Sequence, residues 1–139
     1  MSDWTHNGEI LESIPEGCTN FVYLITNLVS GKKYVGKKSM YSTVTRPPLK
    51  GQKRNRKITK ESDWKKYFGS NDEIKSDVKE LGVDSFSREI LHWCGSKAVA
   101  TYLEAKEQFD RDVLLRKDFY NSWIDITCNA SHLKEMYIN

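Results

Sequence analysis

Residues 46–60 contain no aspartate or glutamate, and into that span the chain packs Arg46, Lys50, Lys53, Arg54, Arg56, Lys57 and Lys60. The whole chain nets +3, so with +7 concentrated here the remainder nets −4. Uniform basicity is excluded, and a local cationic surface that gathers phosphate and loosens with salt is implied. Cysteine is scarce as well. Cys18, Cys94 and Cys128 are odd in number and far apart, with no Cys-x-x-Cys pair, so neither a disulfide framework nor a zinc pattern is indicated and a reduced, intracellular protein is expected. Long apolar runs are missing too. The stretch 21–29 is far short of a membrane span, and Ser2, Asp3, His6 and Glu9 stand where a secretory leader would be basic and then apolar. The expectation is a soluble, cytoplasmic protein with no membrane partner. No internal repeat or low-complexity segment is visible, and 139 residues suffice for one domain around a single core.

Pro15 and Gly17 close residues 1–20, which have little periodicity and read as an arm leading into the fold. Residues 21–26 are apolar and rich in β-formers. After a loop holding Gly31, residues 32–35 make a second extended run, which predicts a hairpin. Pro47, Pro48 and Gly51 oppose regular structure, so the basic run, 45–60, reads as a loop projecting from the domain. Ser62 resembles the N-cap of a short helix through Trp64 and Tyr67 to Gly69. Ser70 or Asn71 caps a second through Ile74, Val78 and Leu81 to Gly82. Alternation over 85–93 predicts a third strand that places His92 and Cys94 on one face, where the lack of a third ligand favours packing over metal binding. Ser96 caps a long helix, 97–116, with Val99, Tyr102, Phe109 and Val113 on one stripe. This order predicts a small α/β (α+β) domain, a three-stranded antiparallel sheet flanked by helices.

The two hairpin strands carry Phe21-Val22-Tyr23 and Tyr34-Val35-Gly36, joined through Ile25-Thr26-Asn27 and Ser30-Gly31-Lys32-Lys33. These resemble the paired tripeptides of the GIY-YIG nuclease superfamily, with Phe21 in place of the first glycine. The run from Ser62 and Asp63 through Trp64, Tyr67 and Phe68 to Ser70, the strand 86–91, the glutamate-bearing helix and Tyr120-Asn121 resemble its small, phage-type, Seg-like homing endonuclease branch. The resemblance covers 21–121, leaving 1–20 as an arm and 122–139 as a tail. It implies a metal-dependent DNA endonuclease using Mg2+ or another divalent cation such as Mn2+, at work in the bacterial host cytoplasm if phage-encoded. The rival is a non-catalytic nucleic-acid-binding or inhibitor protein that keeps the fold.

Hydrolysing a phosphodiester needs a base for water, a cation on the developing charge and stabilisation of the leaving oxygen. A tyrosine, titrating near pH ~10, serves as base only beside a cation, a metal-bound water or a proton relay. Lys32, Lys33, Lys37 and Lys38 around Tyr34 offer such cations, and Tyr23 and Tyr34 jointly take the role of orienting and deprotonating water. The resemblance implies a phosphate-binding arginine, for which Arg54 and Arg56 are candidates with Arg46 behind them. It also implies a metal-holding glutamate, Glu104 with Glu107 as the alternative, and a late asparagine, Asn121, that ties the region together by hydrogen bonds. Lys37, Lys38, Arg46, Lys50, Lys53, Lys57 and Lys60 are expected on the nucleic-acid backbone. Only 122–139 follows Asn121, so sequence preference is expected from the arm, the basic loop or association into a homo-oligomer.

Overall fold

Asn27 ends the first hairpin strand because its Oδ1 accepts from the N–H groups of Val29 and Ser30, and Gly31 follows at φ 82°, a conformation that suits glycine. The strands so joined are β3 (Asn20–Asn27) and β4 (Lys33–Ser39). In the computed structural model, which describes residues 3–11 and 13–136, β3 is nearly all buried and pairs on its other edge with β7 (Phe86–Cys94). Beyond β7 lie β1 (Trp4–His6), parallel to it, and β2 (Glu9–Ile10). The sheet is five-stranded and mixed, in the order β2-β1-β7-β3-β4. The α/β class stands, but the expected three strands form only its centre. Residues expected as an arm supply two more, anchored by Trp4, which is buried against Phe21 and Tyr23 and donates its Nε1 proton to Trp64 C=O at 2.9 Å.

The basic run is also more ordered than expected. β5 (Tyr41–Arg46) and β6 (Arg56–Glu61) make a separate antiparallel ribbon, and Pro47, Pro48 and Gly51 occupy its turn. The breakers punctuate the segment without dissolving it, because Thr43, Val44, Thr45, Ile58 and Thr59 are β-formers on either side. β6 is exposed throughout.

Both sheet faces are covered. One packs Phe21, Tyr23, Ile25, Phe86 and Ile90 with Trp4, Met40 and Trp64, and the other packs Val22, Leu24, Val35 and Cys94 with Ala100, Val113 and Phe119. The helix expected over 62–69 is one 3-10 turn, Trp64–Lys66, because Ser62 Oγ donates to Ser39 C=O at 2.6 Å and caps nothing. α1 (Asp72–Leu81) is capped by Asn71 and ends at Gly82, φ 90°. α2 (Lys97–Asp110) starts at Ser96 as expected but stops short of 116, since Asp112 turns left-handed at φ 53° and swings Val113 into the core. Its packed face is Ala100, Thr101, Ala105 and Gln108. Tyr102 and Phe109, expected inside, are 37 % and 61 % exposed. Small residues let a helix lie close to a sheet, and a count of large apolar positions misses them. A bulge at Leu91 sets Val22 opposite His92 but Tyr23 opposite Ile90, so His92 leaves the face of Ile90. Among the described residues, no helix is long and apolar enough to cross a membrane. Residues 137–139 of the expected tail, and Ser2 of the arm, lie outside the described residues.

Candidate functional site

β4 is an edge strand, so groups from both faces of the sheet meet around it. Alternation puts Tyr34, Gly36 and Lys38 on the face of Tyr23, with Val35 and Lys37 on the side of α2. Gly36 sits opposite Tyr23 in the register. A Cβ there would fall on the Tyr23 hydroxyl and 2.6 Å from its Cζ, so this glycine is what lets the Tyr23 phenol pass across β4. The glycine missing from the first tripeptide has no such duty, because Phe21 fills its place as a fully buried ring against Trp4, Trp64 and Trp93.

Three tyrosines converge. Tyr23 Oη donates to Tyr67 Oη at 3.4 Å, and its ring centroid lies 5.8 Å from that of Tyr67 and 6.1 Å from that of Tyr34. Tyr34 Oη is 3.4 Å from Ser70 Oγ. Lys38 Nζ sits 4.3 Å above the Tyr67 ring and 2.7 Å from Asp63 Oδ1. Tyr67 arrives here because Arg88, buried between the Trp4 and Phe68 rings, donates to the carbonyls of Lys65 and Tyr67 at 3.0 and 2.9 Å. Burial lowers that guanidinium to about 10, which leaves it charged at neutral pH. In the sequence Tyr67 is one member of the run that resembles the family and of an expected short helix, with no role of its own.

Burial drives Tyr23 well above its ordinary value, with Tyr67, Tyr34 and Glu104 adding to it. Burial also raises Tyr34, offset in part by the Ser70 hydrogen bond and reinforced by Tyr67 and Glu104. The surrounding lysines do not produce a phenolate, because Lys32, Lys37 and Lys38 are each engaged by a carboxylate, from Glu73, Glu104 and Asp63.

Glu104 projects from α2 toward this edge with a side chain 14 % exposed, and Lys37 Nζ lies 3.5 Å from its Oε1. Burial raises its carboxyl above the usual range despite Lys37. Glu107 differs. Burial pushes it up, but His92 Nε2 at 2.8 Å and Arg111 Nε at 2.9 Å outweigh that and hold it below its usual value. Glu107 is therefore satisfied within the protein, and Glu104 is a poorly compensated negative charge felt at both tyrosines. Among the described residues no group of three or more His, Cys, Asp or Glu side chains could hold a metal. A lone carboxylate suits a hard cation that keeps its waters and takes phosphate oxygens.

The outer edge of β4 is sealed by the segment after α2. Lys33 N–H donates to Asp118 C=O, Tyr120 N–H donates to Lys33 C=O, and Asn121 brackets Val35 by accepting its N–H at 3.1 Å and donating to its C=O at 2.8 Å. Gln108 Nε2 donates to the same carbonyl at 3.1 Å. Asn121 is thus buried and fixes the backbone between Tyr34 and Gly36.

Arg54 and Arg56 are not brought to the tyrosines. Arg54 lies in the ribbon turn, and Arg56 pairs with Arg46 at the end remote from β4, about 17 Å along the strands from Tyr41. Lys50, Lys53, Lys57 and Lys60 share that ribbon, all exposed, whereas Lys37 and Lys38 stay at the tyrosine site.

Residues 4–124 match the family model described as "Putative endonuclease segE, GIY-YIG domain". The chain belongs to this GIY-YIG family. Within the Seg proteins it is similar to "Putative endonuclease segE" of Enterobacteria phage T4, 30 % identical over 102 residues covering 73 % of this chain and 40 % of the relative. Similarity to "Putative endonuclease segD" of the same phage is 29 % over 103 residues, 74 % of this chain and 37 % of that protein. The chain therefore spans about two fifths of the length of these Seg relatives. No solved structure matches it. The family match begins at residue 4, which agrees with β1 being part of the sheet.

Proposed function

We propose that the chain is a metal-dependent endonuclease that hydrolyses DNA phosphodiesters at the edge of β4, in the bacterial cytoplasm where a phage protein meets DNA. The observation that carries this is the convergence of Tyr34, Tyr23, Tyr67 and Lys38 with the under-compensated Glu104 around one edge strand. Tyr34, part-exposed, is the phenol that touches substrate, and Tyr23, fully buried, is a positioning residue. Because burial keeps Tyr34 protonated, its role is a relay: it takes the proton of the attacking water as it passes its own to a phosphate oxygen, and no free phenolate forms. Lys38, on the same face, exchanges exposed Asp63 for the scissile phosphate and supplies the cation that the remote Arg54 and Arg56 do not. Glu104 would hold the Mg2+ or Mn2+ ion. When bound, that ion neutralises charge on the phosphate and the leaving oxygen. Asn121 keeps β4 in place under the substrate.

The test is supercoiled plasmid incubated with the protein in Mg2+ and in chelator. Nicking or linearisation in Mg2+ alone, lost in Tyr34→Phe at unchanged DNA affinity, is expected. Plasmid left intact in both, with binding retained, would establish the non-catalytic binding protein instead.

A further inference from the structure

We propose that the β5–β6 ribbon reads DNA sequence from the major groove through its Arg46–Arg56 face, an inference that rests on DNA being the substrate. In an antiparallel pair, residues directly opposite share a face. Ser42 with Lys60, Val44 with Ile58 and Arg46 with Arg56 therefore lie on one side, and Tyr41 with Glu61, Thr43 with Thr59 and Thr45 with Lys57 on the other. The first side carries three cations and no acid, and the second one charge of each sign. On the second side Glu61 is tied back to the domain, its Oε1 accepting from Trp64 Nε1 at 2.9 Å and lying 3.5 Å from Lys65 Nζ. Charge complementarity thus selects the first side for DNA.

Two arginines directly opposite each other destabilise a free ribbon, since like charges across a strand pair repel. Among the described residues neither has a carboxylate partner to relieve this. A groove floor does so, because a guanine offers O6 and N7 to one guanidinium, two acceptors to two donors. Arg56 is oriented for such a contact by its Nε–H, which donates to Pro47 C=O at 3.2 Å. Val44 and Ile58, the latter 40 % exposed, place an apolar spot between the arginines and Lys60 that matches a thymine methyl. The dimensions agree. Two strands about 4.8 Å apart fit a major groove about 12 Å wide, whereas the deep, narrow groove of A-form RNA admits no such ribbon. A flexible basic loop would follow phosphates without preference. A paired ribbon holds its arginines at fixed spacing, which base readout requires.

The test is selection of the intact chain on a randomised duplex pool in chelator, followed by dimethyl sulfate interference on the selected site. Wild type is compared with Arg46→Lys and Arg56→Lys, which keep the charge and lose the guanidinium fork. A motif containing guanine, with interference at guanine N7, is expected. Each lysine variant should lose roughly tenfold discrimination at its guanine while affinity for unselected duplex and its salt slope stay unchanged. Duplex binding without a motif, a motif that both lysine variants retain, or interference confined to adenine N3 in the minor groove would each overturn the inference. No binding to any duplex would instead overturn DNA as the substrate.

Discussion

The tyrosine edge and the basic ribbon are built on opposite terms. At the edge of β4 the supporting groups are held twice: Tyr23 by its neighbours and the gap at Gly36, Tyr67 by Arg88 and Lys38, and Val35 by Asn121 and Gln108. The ribbon is tied to the domain at its base, through Glu61 to Trp64 and Lys65, and beyond that it rests on its own strand pairing, with its cations exposed. Chemistry needs reacting groups fixed within a fraction of an ångström, so packing is invested there. Attraction to a polyanion needs charge at the right distance, and groove readout adds only the fixed spacing that strand pairing supplies, so a lightly packed ribbon serves. The contrast predicts that damage to the edge removes cleavage and spares binding, and that damage to the ribbon does the reverse.

Tyr34→Phe breaks the first half most sharply. It should lower single-turnover cleavage by on the order of a hundredfold or more, with DNA affinity within about twofold of wild type. Equal cleavage rates would remove the relay. Gly36→Ala tests the packing itself, since its methyl meets the Tyr23 phenol, and denaturant unfolding should show a loss of about 1–3 kcal/mol. A variant as stable as wild type would mean that the phenol has another route. Replacing Lys53, Arg54, Arg56 and Lys57 with alanine tests the second half. Affinity should fall and the log-log salt dependence flatten by roughly one unit for each phosphate no longer neutralised, while cleavage of saturating DNA persists. An unchanged slope would take the ribbon off the DNA.

A smaller effect concerns pH. A carboxyl whose folded value is raised contributes stability that is fully present below its unfolded value and is lost as pH rises through the folded one. Glu104 is such a group, so Glu104→Gln should unfold at the same or a higher temperature than wild type at pH 7, with the gap closing below pH ~4. A lower melting temperature at pH 7 would mean that Lys37 compensates the charge fully.

The same contrast governs what was legible in the sequence. The β3–β4 hairpin and the caps at Asn71, Gly82 and Ser96 declared themselves because local chemistry fixes them. β1 did not. Three residues show no period, and what makes them a strand is Trp4 burial and pairing with a partner more than eighty positions away. The ribbon was hidden because Pro47, Pro48 and Gly51 draw attention to the turn and away from its flanks. Of the residues that meet around β4, Tyr23, Tyr34 and Glu104 could be singled out from spacing and resemblance. Tyr67 could not, since only Arg88 and the turn at Trp64–Lys66 bring it to Tyr23. Arg54 and Arg56 stand out in the sequence for lying just before the Trp64 segment, a closeness that the ribbon, with Arg54 in its turn and Arg56 at its far end, converts into distance in space.

The claim that one poorly compensated carboxylate makes this edge a metal-dependent nuclease is tested most directly by titrating Mg2+ into single-turnover cleavage reactions of wild type, Glu104→Gln and Glu107→Gln. Wild type and Glu107→Gln should cleave with rising Mg2+, and Glu104→Gln should bind DNA as well as wild type or better yet stay inactive at every concentration. Cleavage by Glu104→Gln at the wild-type rate, or its loss only in Glu107→Gln, would contradict it.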